Sequence, residues 1–112
     1  MSGRQDEERQ NFKPDDEMSG FEWHPFKAAS NLKKHKVTFE EASTVFKDMQ
    51  RIEAPDRWHS DDEQRYLGIG RSKQGRILSI YYTFRAKKIR IISARLAERW
   101  ERIEYETGRE QE

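Results

Sequence analysis

Apolar and polar residues alternate along four segments between residues 51 and 93, which is the pattern of half-buried β-strands. The predicted strands cover 51–54, 65–71, 76–84 and 88–93. The third is the strongest, since it is rich in β-branched and aromatic residues. Short turns at 72–75 and 85–87 separate the last three strands, and Gly75 suits a positive φ. Turns of this length predict an antiparallel meander.

The alternation also assigns each strand residue to a side of the sheet. Leu67 and Ile69 are expected to face the core, so Tyr66 and Gly68 face outward, and Gly68 leaves space for a ligand. Arg90 has the outward position in its own strand and is expected to share that face with Tyr66. The core set of 76–84 is Leu78, Ile80, Tyr82 and Phe84, which leaves Tyr81 and Thr83 outward.

Helical spacing appears before and after these strands. Pro25 suits the first position of a helix that runs to about His35, with an apolar stripe of Phe26, Ala29 and Leu32. Thr38 and Glu41 form a capping box for a second helix. Its buried residues are expected to be Phe39, Ala42, Val45 and Phe46. From Ala94 a last helix is predicted to bury Leu96, Trp100 and Ile103, with Tyr105 as a packing residue.

A short strand at 21–24 completes the order β-α-α-β-β-β-β-α. This order predicts an α+β fold, in which a small antiparallel β-sheet has helices packed on one face and leaves the other face free for a ligand. We expect one domain over residues 21–106. Residues 1–20 are expected to be a disordered acidic tail, and residues 107–112 a polar C-terminal tail.

Composition excludes several classes of protein. The chain has 112 residues, 33% of them hydrophobic and 38% charged, which leaves room for one small core. Since no run approaches eighteen apolar residues, no membrane span is expected, and the acidic, polar start is unlike a secretory signal. The absence of cysteine excludes disulfide scaffolds, cysteine-based zinc sites and thiol catalysis. A cytoplasmic protein is therefore expected.

The net charge of +1 conceals a segregation of charges along the chain. Residues 71–97 hold eight bases and no acid, and residues 26–36 hold four lysines and no acid. Residues 1–20 hold three bases against six acids, a net charge of −3. Clustered bases suit phosphate groups, so the pattern favours a nucleic-acid partner. The alternative is a set of solvated charged faces.

The three histidines, His24, His35 and His59, lack the spacing of a metal site, and no glycine-rich nucleotide loop is present, so no metal or cofactor is expected. RNA carries its own nucleophile in the 2′-OH, and cleavage needs a base, an acid and cations around the phosphate. His59 and Glu63 are candidate bases. The candidate cations are Arg65, Arg71, Arg90 and Arg95. The alternative is a solvated loop whose arginines pair with nearby acids.

Several strings of residues resemble the BrnT toxin family. They are Phe21-Glu22-Trp23-x-Pro25-x-Lys27-Ala28, Asn31-Leu32-x-Lys34-His35, Val37-x-Phe39-Glu40-Glu41-Ala42, His59-Ser60, Glu63-x-Arg65, Ile69-Gly70-x-Ser72, Gly75-Arg76 and Arg90-Ile91-Ile92-Ser93-Ala94-Arg95. The resemblance covers about residues 21–106. It implies a RelE-like fold, metal-independent cleavage of RNA and inhibition of translation. It also implies a BrnA-like antitoxin with a ribbon-helix-helix domain, two copies of each protein in the complex, and DNA contact only through the antitoxin.

Carried over by position, the resemblance implies catalytic roles for His59, Glu63, Arg65, Arg90 and Arg95. It adds Lys27, Lys34 and His35 on the first helix to the RNA-binding set, beside Tyr66 and Arg71. This chain departs from the family at His24, where the family has Asp, and at Lys36, where a Gly would cap the first helix. We therefore expect a strained or differently ended helix at Lys36. The 20-residue start is a third departure.

A different class of function remains open, a non-catalytic module that anchors a DNA-binding partner for operon repression. Convergence of the candidate residues on one face favours the enzyme, and their dispersal into separate ion pairs favours the anchor. A direct DNA-binding repressor is disfavoured, because no recognition helix rich in base-reading residues is present.

Overall fold

The computed structural model describes residues 20–111, with the backbone alone for 109–111. Its strands are β1 (Phe21–Glu22), β2 (Ile52–Pro55), β3 (Tyr66–Arg71), β4 (Ile77–Arg85) and β5 (Lys88–Leu96). Its helices are α1 (Pro25–His35), α2 (Phe39–Ser43), which continues as a 3-10 turn over Thr44–Lys47, and α3 (Arg99–Gln111). The α+β class and the order β-α-α-β-β-β-β-α are confirmed. The acidic tail expected at the start lies outside the described residues.

The five strands form one sheet in the order β1-β5-β4-β3-β2. Strands β2 to β5 are the antiparallel meander that the turns predict. Strand β1 instead pairs with β5 in parallel, through Phe21 with Ile89 and Glu22 with Arg90, so the sheet is mixed. The alternation pattern carries no information on this pairing, because it joins segments almost seventy residues apart. At the first turn Gly75 has a φ of 91°, as predicted.

The main core lies on one side of the sheet, called here the first face. It joins Leu78, Ile80 and Tyr82 of β4 to residues of β5 and to the helical segment after Thr38. The predicted stripe of Phe39, Ala42, Val45 and Phe46 is confirmed, with every member at most 4% exposed. Thr38 caps α2 as predicted, since its Oγ1 accepts a hydrogen bond from the Glu41 amide at 3.0 Å.

The side assigned to strand β3 from sequence is wrong. Tyr66 packs against the main core, where its ring stacks on Tyr82 at a centroid distance of 5.6 Å. Gly68 and Gly70 also lie on the first face, as cross-strand partners of Ile80 and Leu78. A Cβ on Gly70 would lie 2.9 Å from Val45 Cγ1, so glycine there permits close packing. Gly68 likewise makes room for the ring of Tyr82 rather than for a ligand.

Leu67 and Ile69 belong to a second, smaller core on the opposite side of the sheet, called here the second face. Tyr105 of α3 completes this core and is 2% exposed. The expectation that helices cover one face therefore holds for α1 and α2, whereas α3 packs on the second face. Because β3 is buried on both sides by different helices, alternation alone does not identify the main core.

The predicted stripes of the first and last helices are wrong. Phe26 is 80% exposed and Leu32 45%, and α1 instead turns Ala28 and the buried Asn31 inward. In α3, Trp100 is 57% exposed and Ile103 54%. Leu96, expected in the same stripe, belongs to β5 and is also exposed. The buried residues here are Ala97, Glu101 and Tyr105, spaced by four. Because one of these three positions is a glutamate, a search for apolar residues at helical spacing does not find the buried stripe.

Both departures in α1 have a structural counterpart. His24 is the N-cap, and its Nδ1 accepts a hydrogen bond from the Phe26 amide at 3.1 Å. The imidazole ring therefore caps the first turn of α1. Lys36 ends the helix in the left-handed conformation, with φ 60° and ψ 33°. A non-glycine residue pays a steric cost there, as the sequence predicts.

Candidate functional site

Alternation and cross-strand register place three rows of side chains on the second face. Thr83 pairs with Arg90, and continuation of the β3–β4 register brings Arg65 opposite Thr83. The next rows are Leu67, Tyr81 and Ser93, then Ile69, Ser79 and Arg95. Neighbours in a row are about 5 Å apart and successive rows about 7 Å apart. Three of the five predicted catalytic residues therefore lie on one face.

The loop between β2 and β3 brings His59 over this face. Its ring is held at 6.2 Å from the Tyr81 ring, in an edge-on arrangement. Its Nδ1 lies 2.9 Å from Oδ2 of Asp56, a carboxylate at the base of the loop. Asp56 is 7% exposed, whereas the His59 side chain is 64% exposed. The second nitrogen of His59 is thus left for contact with a ligand.

Glu63 of the same loop forms an ion pair with Arg85, with nitrogen–oxygen distances of 2.9 and 3.2 Å. This hydrogen bonding, together with the charges of Arg85, Arg65 and Arg90, lowers the pKa of Glu63. A carboxylate with a lowered pKa is a weaker proton acceptor at neutral pH, so the contacts of Glu63 favour His59 as the base.

Arg90 also has an acidic partner, since its Nη1 lies 3.0 Å from Oε2 of Glu22 on β1. Both side chains are partly exposed, so a phosphate can compete for the guanidinium. Arg65, in contrast, has no acidic partner among the described residues. Among residues 20–111 its guanidinium makes no hydrogen bond, and its Nε is buried. Its backbone is held by Ser60, whose Oγ accepts from the Arg65 amide at 2.9 Å.

Arg95 is committed to a different partner. It forms a two-pronged ion pair with Glu101 of α3, at 2.7 and 3.0 Å, and its Nη2 donates to the Tyr81 hydroxyl at 3.3 Å. Glu101 is fully buried and also accepts from Ser79 at 2.7 Å and from the Glu98 amide at 2.8 Å. Burial raises the pKa of Glu101, but these hydrogen bonds outweigh burial and lower it. The pair fastens α3 to the sheet.

The predicted RNA-binding residues do not join this cluster. Tyr66 lies in the main core, on the first face. Arg71 ends β3 at the opposite end from Arg65, about 20 Å away along an extended strand, where it contacts Gly75 and Glu106. The remaining three, Lys27, Lys34 and His35, are exposed on α1, which packs on the first face and along β5.

The sequence does not identify four residues of this region as site residues: Asp56, Tyr81, Arg85 and Glu101. The outward position of Tyr81, given by alternation, was one signal that could have indicated a site residue. The spacing of Asp56 and His59, three residues apart in a loop, was a second such signal. Nothing local marks Arg85 and Glu101, because their partners are 22 and 6 residues away.

Exposure and chemistry of this surface suit an anionic chain. Trp58, at the tip of the loop, is 88% exposed, as expected of a residue that stacks on a base. Within residues 20–111 no group of three or more His, Asp or Glu side chains is arranged to hold a metal ion. None of the helices in that range is long and apolar enough to cross a membrane.

The family model described as ribonuclease toxin, BrnT, of type II toxin–antitoxin systems matches residues 23–101. The chain belongs to the BrnT ribonuclease toxin family. The match begins just after β1, ends in the first turn of α3 and includes His59, Arg65 and Arg90.

A solved structure of a BrnT supports the same fold. The ribonuclease toxin BrnT of Brucella abortus aligns with 71% of this chain and 97% of its own, at a TM-score of 0.57 and 18% identity. No curated protein sequence matches the chain. As a BrnT family member, the chain is a ribonuclease toxin of a type II system, a class in which an antitoxin is the protein partner.

Proposed function

We propose that this BrnT protein is a metal-independent endoribonuclease that inhibits translation by cutting RNA on the second face of its sheet. The observation that carries the proposal is the position of His59, Arg65 and Arg90 around one surface. Cleavage by attack of a 2′-OH on its own phosphate requires a base, cations around the phosphate and an acid. His59 and the two guanidinium groups supply the first two, and water supplies the acid.

In this mechanism the phosphate lies between Arg65 and Arg90, which neutralise its growing negative charge. His59 accepts the proton of the 2′-OH, and the 2′-oxygen attacks phosphorus while the bond to the 5′-oxygen breaks. The products are a 2′,3′-cyclic phosphate and a 5′-hydroxyl. Tyr81 and Trp58 offer aromatic surfaces to the neighbouring bases. Arg95 acts indirectly, through its contacts with Tyr81 and Glu101.

The test is cleavage of an end-labelled single-stranded RNA by purified protein in the presence of EDTA. Arg65→Ala and Arg90→Ala are each expected to lower the cleavage rate about a hundredfold, as loss of a transition-state donor does. Arg71→Ala is the matched control, since it removes the same charge from the far end of β3, and its rate should stay within a few-fold of wild type. Equal losses for all three would refute the assignment of the second face.

The helix residues Lys27, Lys34 and His35 enter the proposal as contacts for a longer RNA, beyond the cleaved phosphate. Their position on α1 separates them from His59. Lys27→Ala with Lys34→Ala should therefore weaken binding of a long RNA and leave cleavage of a short oligonucleotide unchanged.

The proposed partner is a BrnA-like antitoxin with a ribbon-helix-helix domain. The complex contains two copies of the toxin and two of the antitoxin, and the antitoxin makes the contacts with DNA. The support is membership of a type II toxin family. Light scattering of the co-expressed pair measures the stoichiometry. A gel-shift assay on operator DNA, with and without the antitoxin, tests whether DNA binding depends on the antitoxin.

A second candidate function has an observation in its favour. Glu63, Arg90 and Arg95 each have an ion-pair partner, the arrangement expected of a non-catalytic module that anchors the antitoxin. Induced expression separates the two. Growth arrest with RNA fragments identifies the enzyme, whereas normal growth with soluble, folded protein identifies the anchor.

A further inference from the structure

The loop between β2 and β3 is folded around one carboxylate, that of Asp56. Its backbone N–H donates to the Arg65 carbonyl at 2.8 Å, and its own carbonyl accepts from Ser60 Oγ at 2.5 Å. Its Oδ1 accepts from the Trp58 amide at 3.2 Å, and its Oδ2 lies 2.9 Å from His59 Nδ1. Every polar group of Asp56 thus has a partner, whereas the His59 side chain remains exposed.

We propose that Asp56 is a positioning residue, which holds His59 in the tautomer that leaves Nε2 free to accept a proton. A carboxylate oxygen only accepts hydrogen bonds, so the hydrogen between the two side chains belongs to Nδ1. In a neutral imidazole the other nitrogen, Nε2, then carries the lone pair. The inference rests on the proposed function, since it concerns the base for RNA cleavage.

The proton balance follows from this arrangement. The 2′-OH gives its proton to Nε2 as the 2′-oxygen bonds to phosphorus, and the departing 5′-oxygen takes a proton from water. His59 later returns its own proton to solvent. While it is positively charged, its Nδ1–H donates to an anion, and this stabilises the imidazolium as the reaction proceeds.

Two further side chains, from β4 and β5, lie beside or behind the His59 ring. From β4 the neighbour is Tyr81, whose ring meets the imidazole edge-on. From β5, Arg95 lies over the Tyr81 ring at 5.7 Å and is paired with the Glu101 carboxylate of α3. Asp56 is thus the carboxylate in direct contact with the imidazole.

The test uses full-length Asp56→Asn beside Asp61→Asn, which removes the same charge from an exposed position of the same loop. One readout is kcat/KM on an RNA oligonucleotide. The other is the His59 tautomer, from long-range proton–nitrogen NMR spectra. Asparagine keeps the size of Asp56 and an acceptor for the Trp58 amide, but its amide group favours the opposite tautomer.

For Asp56→Asn we expect kcat/KM to fall about a hundredfold, the loss typical of a general base. In the spectra the Nδ1–H form should give way to Nε2–H. Asp61→Asn should match the wild type in both readouts, and Asp56→Glu, which retains a carboxylate, should recover part of the rate.

Loss of activity in Asp56→Asn with the Nδ1–H tautomer of His59 unchanged would make Asp56 a purely structural residue and overturn the inference. An Nε2–H tautomer in the wild-type protein would overturn it as well, even where Asp56→Asn does not fold. A wild-type protein that cuts no RNA would refute the proposed function instead, and the wild-type NMR spectrum would still decide the tautomer.

Discussion

Replacement of Arg95 by alanine tests whether this arginine supports the fold or the chemistry. The substitution leaves Glu101, which is fully buried, with donors from Ser79 and the Glu98 amide but without a counter-charge. Removal of one partner from a buried ion pair costs about 3–5 kcal/mol. Because the Arg95 side chain is 24% exposed, water replaces part of the loss, and we expect about 3 kcal/mol.

The measurement is urea and thermal unfolding at pH 7, followed by circular dichroism. For a domain of this size each kcal/mol moves Tm by about 4–8 °C, so Arg95→Ala should melt at least ~12 °C below wild type. Arg90→Ala is the matched control, since its ion pair with Glu22 is partly exposed on both sides and should cost about 1 kcal/mol or less.

Two outcomes would refute this reasoning. Equal unfolding midpoints for Arg95→Ala and wild type would show that the pair contributes nothing to stability. Failure of Arg95→Met with Glu101→Leu to recover stability over Arg95→Ala would show that the cost does not come from an uncompensated charge. If the prediction holds, activity measured on Arg95 variants is informative only well below their reduced Tm.

Three further predictions concern stability. Lys36→Gly should stabilise the protein by about 0.5–1 kcal/mol in urea, because glycine takes the left-handed conformation without strain. Gly70→Ala should cost about 1–3 kcal/mol, because its Cβ would meet Val45 Cγ1 at 2.9 Å; a neutral result would show that the strand shifts freely. The hydrogen bonds that lower the pKa of Glu41 and Glu101 stabilise the fold above about pH 4.5, and that stabilisation should fade as the pH drops through the lowered values, seen as a falling urea midpoint.

The sequence predicted local structure correctly where residues of a single segment determine it. The cap at Thr38, the stripe that follows it and the turn at Gly75 depend on residues a few positions apart, and all three are confirmed. The pattern failed where tertiary contacts decide. Ile69 is buried and Leu67 partly buried, but under α3 rather than in the main core.

Some residues of the candidate site were likewise predictable from the sequence, and others were not. The groups that RNA cleavage needs and the resemblance to BrnT proteins indicated His59, Arg65 and Arg90, which the fold gathers around one face. The ion pair of Arg95 with Glu101 was not predictable, because a glutamate in a charged helix gives no sign that it will be buried. For Asp56 the spacing to His59 was a weak signal, and its importance comes from four simultaneous hydrogen bonds that the sequence does not show.

Asn31 has a consequence for the behaviour of the protein in concentrated solution. Strand β1 covers only the start of β5, and beyond it the amide and carbonyl of Ala94 point away from β4. The Asn31 side chain binds both, at 3.0 and 2.8 Å, so a single residue of α1 closes this stretch of the sheet edge. An unpaired edge is a template for pairing with another chain. Loss of this amide would therefore expose the toxin to aggregation rather than to a change in catalysis.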